Sequence, residues 1–195
     1  RQMCIRDRYH FIGTDIINFH ALFWPSMLKS AGIRLPTKIC VHGFVTINGL
    51  KMSKSRGTFI LARDYLDNLD PDFLRYYYAC KLSNSAEDLD LNLEDFVQKI
   101  NSDLVGKVIN LASRCSKFIT KGNNGYLHSE IDDKELWNIF SQSATTISEN
   151  YENRNFSKAT REIIKLTDLA NEYISDKQPW VLNKEQDNKE QVLKI

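Results

Sequence analysis

Residues 49–58, Gly-Leu-Lys-Met-Ser-Lys-Ser-Arg-Gly-Thr, hold Lys51, Lys54 and Arg56 close together, with Ser53 and Ser55 between them and Gly49 and Gly57 at the edges. Three positive charges, two hydroxyls and glycine-flanked backbone N–H groups form a donor set suited to a polyphosphate. A mobile cationic loop of this kind can close over a nucleotide and meet the negative charge that builds on a phosphorus and a departing pyrophosphate. Neither G-x-x-x-x-G-K-[ST] nor G-x-G-x-x-G occurs, so the two familiar phosphate cradles are excluded on residues alone. A solvated basic surface loop has the same composition, and the loop's neighbours must decide.

Other residues carry chemistry at telling spacings. Asp15 follows Gly13-Thr14, where it reads either as a carboxylate facing a ligand or as one set against a helix dipole. Phe19, His20, Phe23 and Trp24 cluster aromatic surface and one polar ring on one helical side, as core packing or as a pocket wall. Lys107, Asn110, Arg114, Lys117 and Lys121 step by 3, 4, 3 and 4, which predicts a basic, hydrogen-bonding strip on one helix face. An Asn/Arg pair at i, i+4 can read unpaired base edges, although a solvated face also explains the lysines. Trp180, after Pro179, reads as a stacking platform for a splayed base or as the plug of a bundle core. His10 and His42 have no assigned role.

The elements that must position these residues follow from periodicity and caps. Residues 14–31 read as a helix capped by Thr14 and kinked or ended by Pro25. Ile39-Cys40-Val41 and Phe44-Val45-Thr46-Ile47 read as short strands, the second feeding the lysine loop. Asp70-Pro71-Asp72 is a strong helix start, with Asp70 capping and Pro71 in the first turn, and predicts a helix to about Leu82. Residues 85–98 contain no Lys or Arg, whereas Lys99, Lys107, Arg114, Lys117 and Lys121 follow against Asp103 alone, which places a domain boundary near 98. Beyond it Ile100, Leu104, Val108, Leu111, Cys115 and Phe118 form one apolar helical face, and amphipathic segments at about 132–152 and 156–175 complete an antiparallel bundle.

Composition bounds the function classes. The chain has 195 residues, 42% hydrophobic and 26% charged, and no apolar run long enough to span a membrane. A net charge of +1 leaves nucleic-acid affinity to local patches. Cys4, Cys40, Cys80 and Cys115 form no C-x-x-C pair and read as reduced cytosolic thiols. Arg1 to Arg8 match neither period and read as extraneous, and the chain ends at Leu193-Lys194-Ile195 within an expected helix, which suggests a fragment.

Lys51-Met52-Ser53-Lys54-Ser55 is similar to the signature loop of class I aminoacyl-tRNA synthetases. The surrounding blocks "YHFIGTDIINFHALFWPSML", "VHGFVTINGLKMSKSRGTFI", "DPDFLRYYYACKLS", "DLNLEDFVQKINSDLVGKVINLASR" and "NEYISDKQPW" resemble the bacterial-type methionyl-tRNA synthetases. The likeness implies an α/β then all-α fold. Residues 9–98 would be the end of a Rossmann-type catalytic domain with its lysine-loop subdomain, and residues 99–195 an anticodon-binding helix bundle. It implies ATP-dependent activation of methionine to the adenylate and transfer to tRNA(Met). Lys54 and Lys51 would be catalytic, and Lys51 to Ser55 would contact ATP together with Gly13, Asp15 at the ribose and the Val45 backbone at adenine. Phe19, His20, Phe23 and Trp24 would hold methionine, and Asn110, Arg114 and Trp180 the anticodon. No metal site is expected in this chain. Mg2+ would enter with ATP, and neither the family's H-x-G-H-type ATP motif, which lies near its N-terminus, nor its inserted domain with a zinc knuckle is found in this sequence. The expected setting is cytoplasmic, with a homodimer formed through a further C-terminal domain, and the isolated stretch is expected to be inert in ATP–pyrophosphate exchange. The rival readings are a class I synthetase for leucine, isoleucine, valine or cysteine, a non-catalytic tRNA-binding module, and a helical protein whose strip binds another protein.

Overall fold

The computed structural model describes residues 7–53, 55, 57–122 and 124–195, with Gln186 described by its backbone. Strand β1 (Tyr9–Gly13) pairs in parallel with β2 (Lys38–His42), in a register that sets Gly13 beside His42. Between them the chain is not one capped helix. It makes a 3-10 turn (Thr14–Ile16) whose N-cap is Gly13 rather than Thr14, a π-helical turn (Phe19–Phe23) and α1 (Trp24–Ser30). Pro25 does not end this run: the π-helical turn leads directly into α1, and the chain stays helical through Ser30.

Strand β3 (Val45–Ile47) turns back as β4 (Leu50–Lys51), and β5 (Leu89–Leu91) pairs in parallel with β3 on its other edge. The two-residue connection Asn48-Gly49 has φ of 49° and 75°, the handedness that matches strand twist. The lysine motif therefore starts inside a hairpin, with Lys51 opposite Thr46, and not in a loop following a single strand. Helix α2 (Ala62–Leu66) leads to α3 (Pro71–Lys81), whose start is as the caps dictate: the Asp70 carboxylate accepts from the Asp72 N–H at 2.8 Å.

After β5, the Asn92 side chain caps α4 (Leu93–Lys99), which runs without interruption into a π-helical stretch (Ile100–Ile109) and α5 (Asn110–Gly122). The sequence position of the expected boundary near 98 thus lies within a continuous helical run. Ile100 packs in the same buried cluster as Ile47, Tyr77, Leu91 and Phe96. Helices α6 (Lys134–Glu152) and α7 (Phe156–Lys177) form the antiparallel pair that the amphipathic pattern predicts, with Asp133 capping α6. Gln178, in the left-handed conformation at φ 46°, stops α7, and Pro179 opens the short α8 (Pro179–Leu182). Helix α9 (Lys189–Lys194) returns against α5. No helix among the described residues is long and apolar enough to cross a membrane.

Candidate functional site

The parallel pair β1 and β2 brings Gly13, Asp15 and His42 together at its carboxyl ends, the edge where open α/β sheets bind ligands. A Cβ on Gly13 would lie 2.7 Å from Asp15 Oδ1, so the carboxylate folds back over the one residue that leaves it room. Asp15 is exposed and available to a hydroxyl donor. His42 is held by its ring Nδ1, 2.9 Å from the Gly43 carbonyl. Val45 lines a groove of about 520 Å³ with His42, Tyr78 and Phe156.

The aromatic run beyond Asp15 is not buried by the rest of this chain: Phe19, Phe23 and Trp24 are 60%, 59% and 45% exposed. The Phe19 and Phe23 rings lie 5.8 Å apart. His20 is fixed from two sides, with Nδ1 3.1 Å from the Ile16 carbonyl and its ring edge-on to His10 at 6.0 Å. His10, which the sequence left without a role, therefore orients the polar ring of the aromatic cluster.

Lys51 extends from β4 with its ammonium over the Phe44 ring, 4.6 Å from the centroid, and is exposed. Such a contact leaves the charge uncancelled, whereas a carboxylate partner would neutralise it. Met52 packs partly buried against the Ile47–Tyr77–Phe96 cluster and anchors the motif between its cations. Lys54 and Arg56 lie outside the described residues. Thr58 closes the segment: its hydroxyl donates to the Lys51 carbonyl at 3.1 Å and accepts from the Ser53 N–H at 3.1 Å, while its own N–H donates to the Ser53 carbonyl. The Ser53 and Ser55 hydroxyls stand 3.0 Å apart.

The hairpin below the motif is tied to the next strand and helix. One Asp90 oxygen accepts from the Thr46 hydroxyl and the Gly49 N–H, both at 2.7 Å, and these bonds hold its carboxyl below the usual range. Asn48 Oδ1 accepts from the Leu93 N–H at the start of α4. Tyr77, fully buried, donates to Asp95 at 2.8 Å, and Lys81 joins the same oxygen at 2.8 Å; the lysine contact first and the phenol second lower the Asp95 carboxyl. None of Thr58, Asp90, Tyr77 and Asp95 was singled out from sequence. The partners of Asp90 and Tyr77 lie up to 44 and 18 residues away, beyond any local pattern, while Thr58 bonds back across the motif to residues five and seven positions earlier.

The expected basic strip divides. Lys107 pairs with Asp168 of α7 at 2.7 Å, and Arg114 donates to Ser175 of the same helix at 3.3 Å, so these two turn onto α7 instead of facing solvent opposite the apolar stripe. Lys107 lies in the π-helical stretch, whose wider turns break the 100° arithmetic between Ile100 and Ile109, whereas Arg114 shares the regular helix α5 with Lys117 and Lys121. Asp103, alone among the cations, is buried and received by Lys99 at 2.8 Å and the Tyr76 hydroxyl at 2.7 Å. Asn110 is exposed at the first turn of α5. The Arg114 guanidinium stacks on Trp180, 4.6 Å from the ring centroid, at the wall of a groove of about 830 Å³ that Lys117, Lys121 and Lys189 also line. Trp180 is 39% exposed while Pro179 is buried, so the proline fills the bundle end and the indole does not. Among the described residues no three His, Cys, Asp or Glu side chains converge into a group able to hold a metal ion.

The family model described as tRNA synthetases class I (M) matches residues 5–116. Solved structures agree over nearly the whole chain. A Mycobacterium tuberculosis methionyl-tRNA synthetase bound by methionyl-adenylate matches at TM-score 0.84 and 31% identity over 96% of this chain and 37% of that one. A second methionyl-adenylate complex from that organism gives 0.83 and 32%, over 95% of this chain and 37% of that one. The apo form gives 0.80 and 28%, over 96% and 37%. The chain thus spans 37% of the length of the synthetases it matches, taking in the hairpin with its lysine motif, the aromatic run and the helix bundle. On the profile match and these structural likenesses together, it belongs to the methionyl branch of the class I tRNA synthetases.

Proposed function

We propose that the protein to which this chain belongs is a methionine–tRNA ligase, activating methionine with ATP and transferring it to tRNA(Met) in the cytoplasm. The observation that carries the reading is the lysine motif raised on an anchored hairpin, in a chain whose solved relatives bind methionyl-adenylate. The methionine carboxylate attacks the α-phosphorus and pyrophosphate leaves, so the protein's task is positioning and charge stabilisation. Lys54 and Lys51 meet the charge on the departing pyrophosphate, with Ser53, Ser55 and backbone N–H groups from Lys51 to Ser55 as neutral donors. Mg2+ accompanies ATP as part of the substrate.

Asp15, folded over Gly13, binds the ribose hydroxyls, and the Val45 backbone meets adenine. Phe19, Phe23 and Trp24 surround the methionine thioether, a polarizable group that favours aromatic faces, and His20 supplies the polar contact. Asn110 and Arg114 read anticodon bases while Trp180 stacks one. Residues 9–98 serve the activation chemistry and 99–195 the RNA.

Single-turnover adenylate formation by the complete protein tests this. Lys54→Ala slows it by about 10² to 10³ with methionine affinity nearly unchanged, and an unaltered rate refutes the role. ATP–pyrophosphate exchange driven by methionine, but not by leucine, isoleucine, valine or cysteine, separates the reading from its sister synthetases.

A further inference from the structure

The groove beside Trp180 is larger than one stacked base requires, and its charged lining is all of one sign. Arg114, Lys117, Lys121 and Lys189 line it with no Asp or Glu among them. Glu190 of α9 and Glu130 of the α5–α6 loop are both engaged by Lys194, at 2.9 and 2.7 Å, and Glu185 and Asp187 ahead of α9 are not among the lining residues. Lys117, Lys121 and Lys189 make no ion pair among the described residues. Lys117 and Lys121 are four apart on α5, so they stand above one another about 5–6 Å apart at Cβ, near the separation of consecutive phosphates on a strand. Lys189 faces them from α9, across a floor formed by Phe118, Val192 and Leu193.

We propose that these three lysines form a phosphodiester track: they take the backbone phosphates of a single-stranded RNA loop running on from the base stacked at Trp180. The inference rests on the anticodon reading and divides its labour. Asn110, Arg114 and Trp180 choose the bases, while Lys117, Lys121 and Lys189 supply affinity that ignores sequence. Phosphate contacts position and base contacts specify.

The test is fluorescence anisotropy of this chain with two stem-loop RNAs. One carries CAU, the triplet that pairs with the methionine codon, and the other a scrambled loop. The probe is titrated across a salt series, with unchanged circular dichroism as the control for folding. In Lys117→Gln/Lys121→Gln/Lys189→Gln the slope of log K against log salt falls by about 2, at about 0.7 per single-strand phosphate. Affinity for both RNAs at about 0.1 M salt drops by up to about 100-fold in equal measure, preserving the preference for CAU. The corresponding triple arginine variant restores both. An unchanged slope with the CAU preference intact overturns the track and leaves the anticodon reading standing. Loss of the preference in the glutamine variant also overturns it, since the lysines would then be reading bases. If the unaltered chain binds both RNAs equally and the slope still falls, the track stands and the anticodon reading fails. Binding to neither RNA at low salt overturns both.

Discussion

Thr58→Val isolates the clasp that shapes the lysine motif. The replacement keeps the β-branched outline and removes a hydroxyl that bonds twice, to the Lys51 carbonyl and the Ser53 N–H, each at 3.1 Å. Both bonds are near the surface, where each contributes about 0.5–1.5 kcal/mol net, so local closure weakens by about 1–3 kcal/mol. That corresponds to a 5- to 150-fold rise in the population of the open segment, at about 1.4 kcal/mol per tenfold. Because Met52 remains anchored in the apolar cluster, the change is confined to the motif, and the global unfolding midpoint moves little. Amide hydrogen exchange reads this directly: the Ser53 N–H exchanges faster by that factor, while amides of α3 and α7 keep their protection. Unchanged Ser53 exchange would show that backbone geometry, and not the Thr58 hydroxyl, sets the conformation. Equal acceleration throughout the chain would show that the clasp is not local.

Three more perturbations test the scaffold. Gly43→Ala puts a Cβ 2.4 Å from the Glu87 carbonyl carbon and oxygen, backbone atoms that cannot rotate away, and lowers stability in urea by about 3 kcal/mol or more. Tyr77→Phe keeps the buried ring and removes the donor to Asp95; since that carboxylate is 49% exposed and retains Lys81, the loss stays near the lower end for a charged acceptor, about 1.5 kcal/mol by denaturant titration. Asp90, Asp95 and Asp132 have folded-state carboxyls below their ordinary values, owing first to Thr46, Lys81 and Lys177 respectively. Their contribution is complete above the unfolded value of about 4 and is lost as pH falls through the lower folded-state values, so the urea midpoint holds down to about pH 5 and falls below it, and Asp95→Asn flattens the profile.

What could be read from sequence is what local chemistry encodes. Asp70-Pro71-Asp72 announces α3 because cap, fixed φ and dipole all act within three residues, and the spans of α6 and α7 follow from their apolar stripes. The Asn48-Gly49 hairpin was also written in the chain, but the cluster of cations after it drew the reading toward a free loop. Periodicity failed at Lys107 for a definite reason: it presumes one bonding pattern, and the π-helical stretch substitutes another. The aromatic cluster Phe19, His20, Phe23 and Trp24 stood out by type and spacing, with its methionine role implied by resemblance alone, whereas His10 and Lys189 owe their places to partners that only folding brings near. A lone acid amid cations, at i+4 from Lys99, was the available hint that Asp103 is buried.

The uninterrupted helical run from Leu93 to Gly122 begins one bond away from the Asn48 turn and ends beside the Trp180 groove. At about 1.5 Å per residue it is a strut of roughly 40 Å. Its two ends share a single hydrogen-bonded backbone, so the base of the hairpin and the wall of the groove are carried on one rigid element.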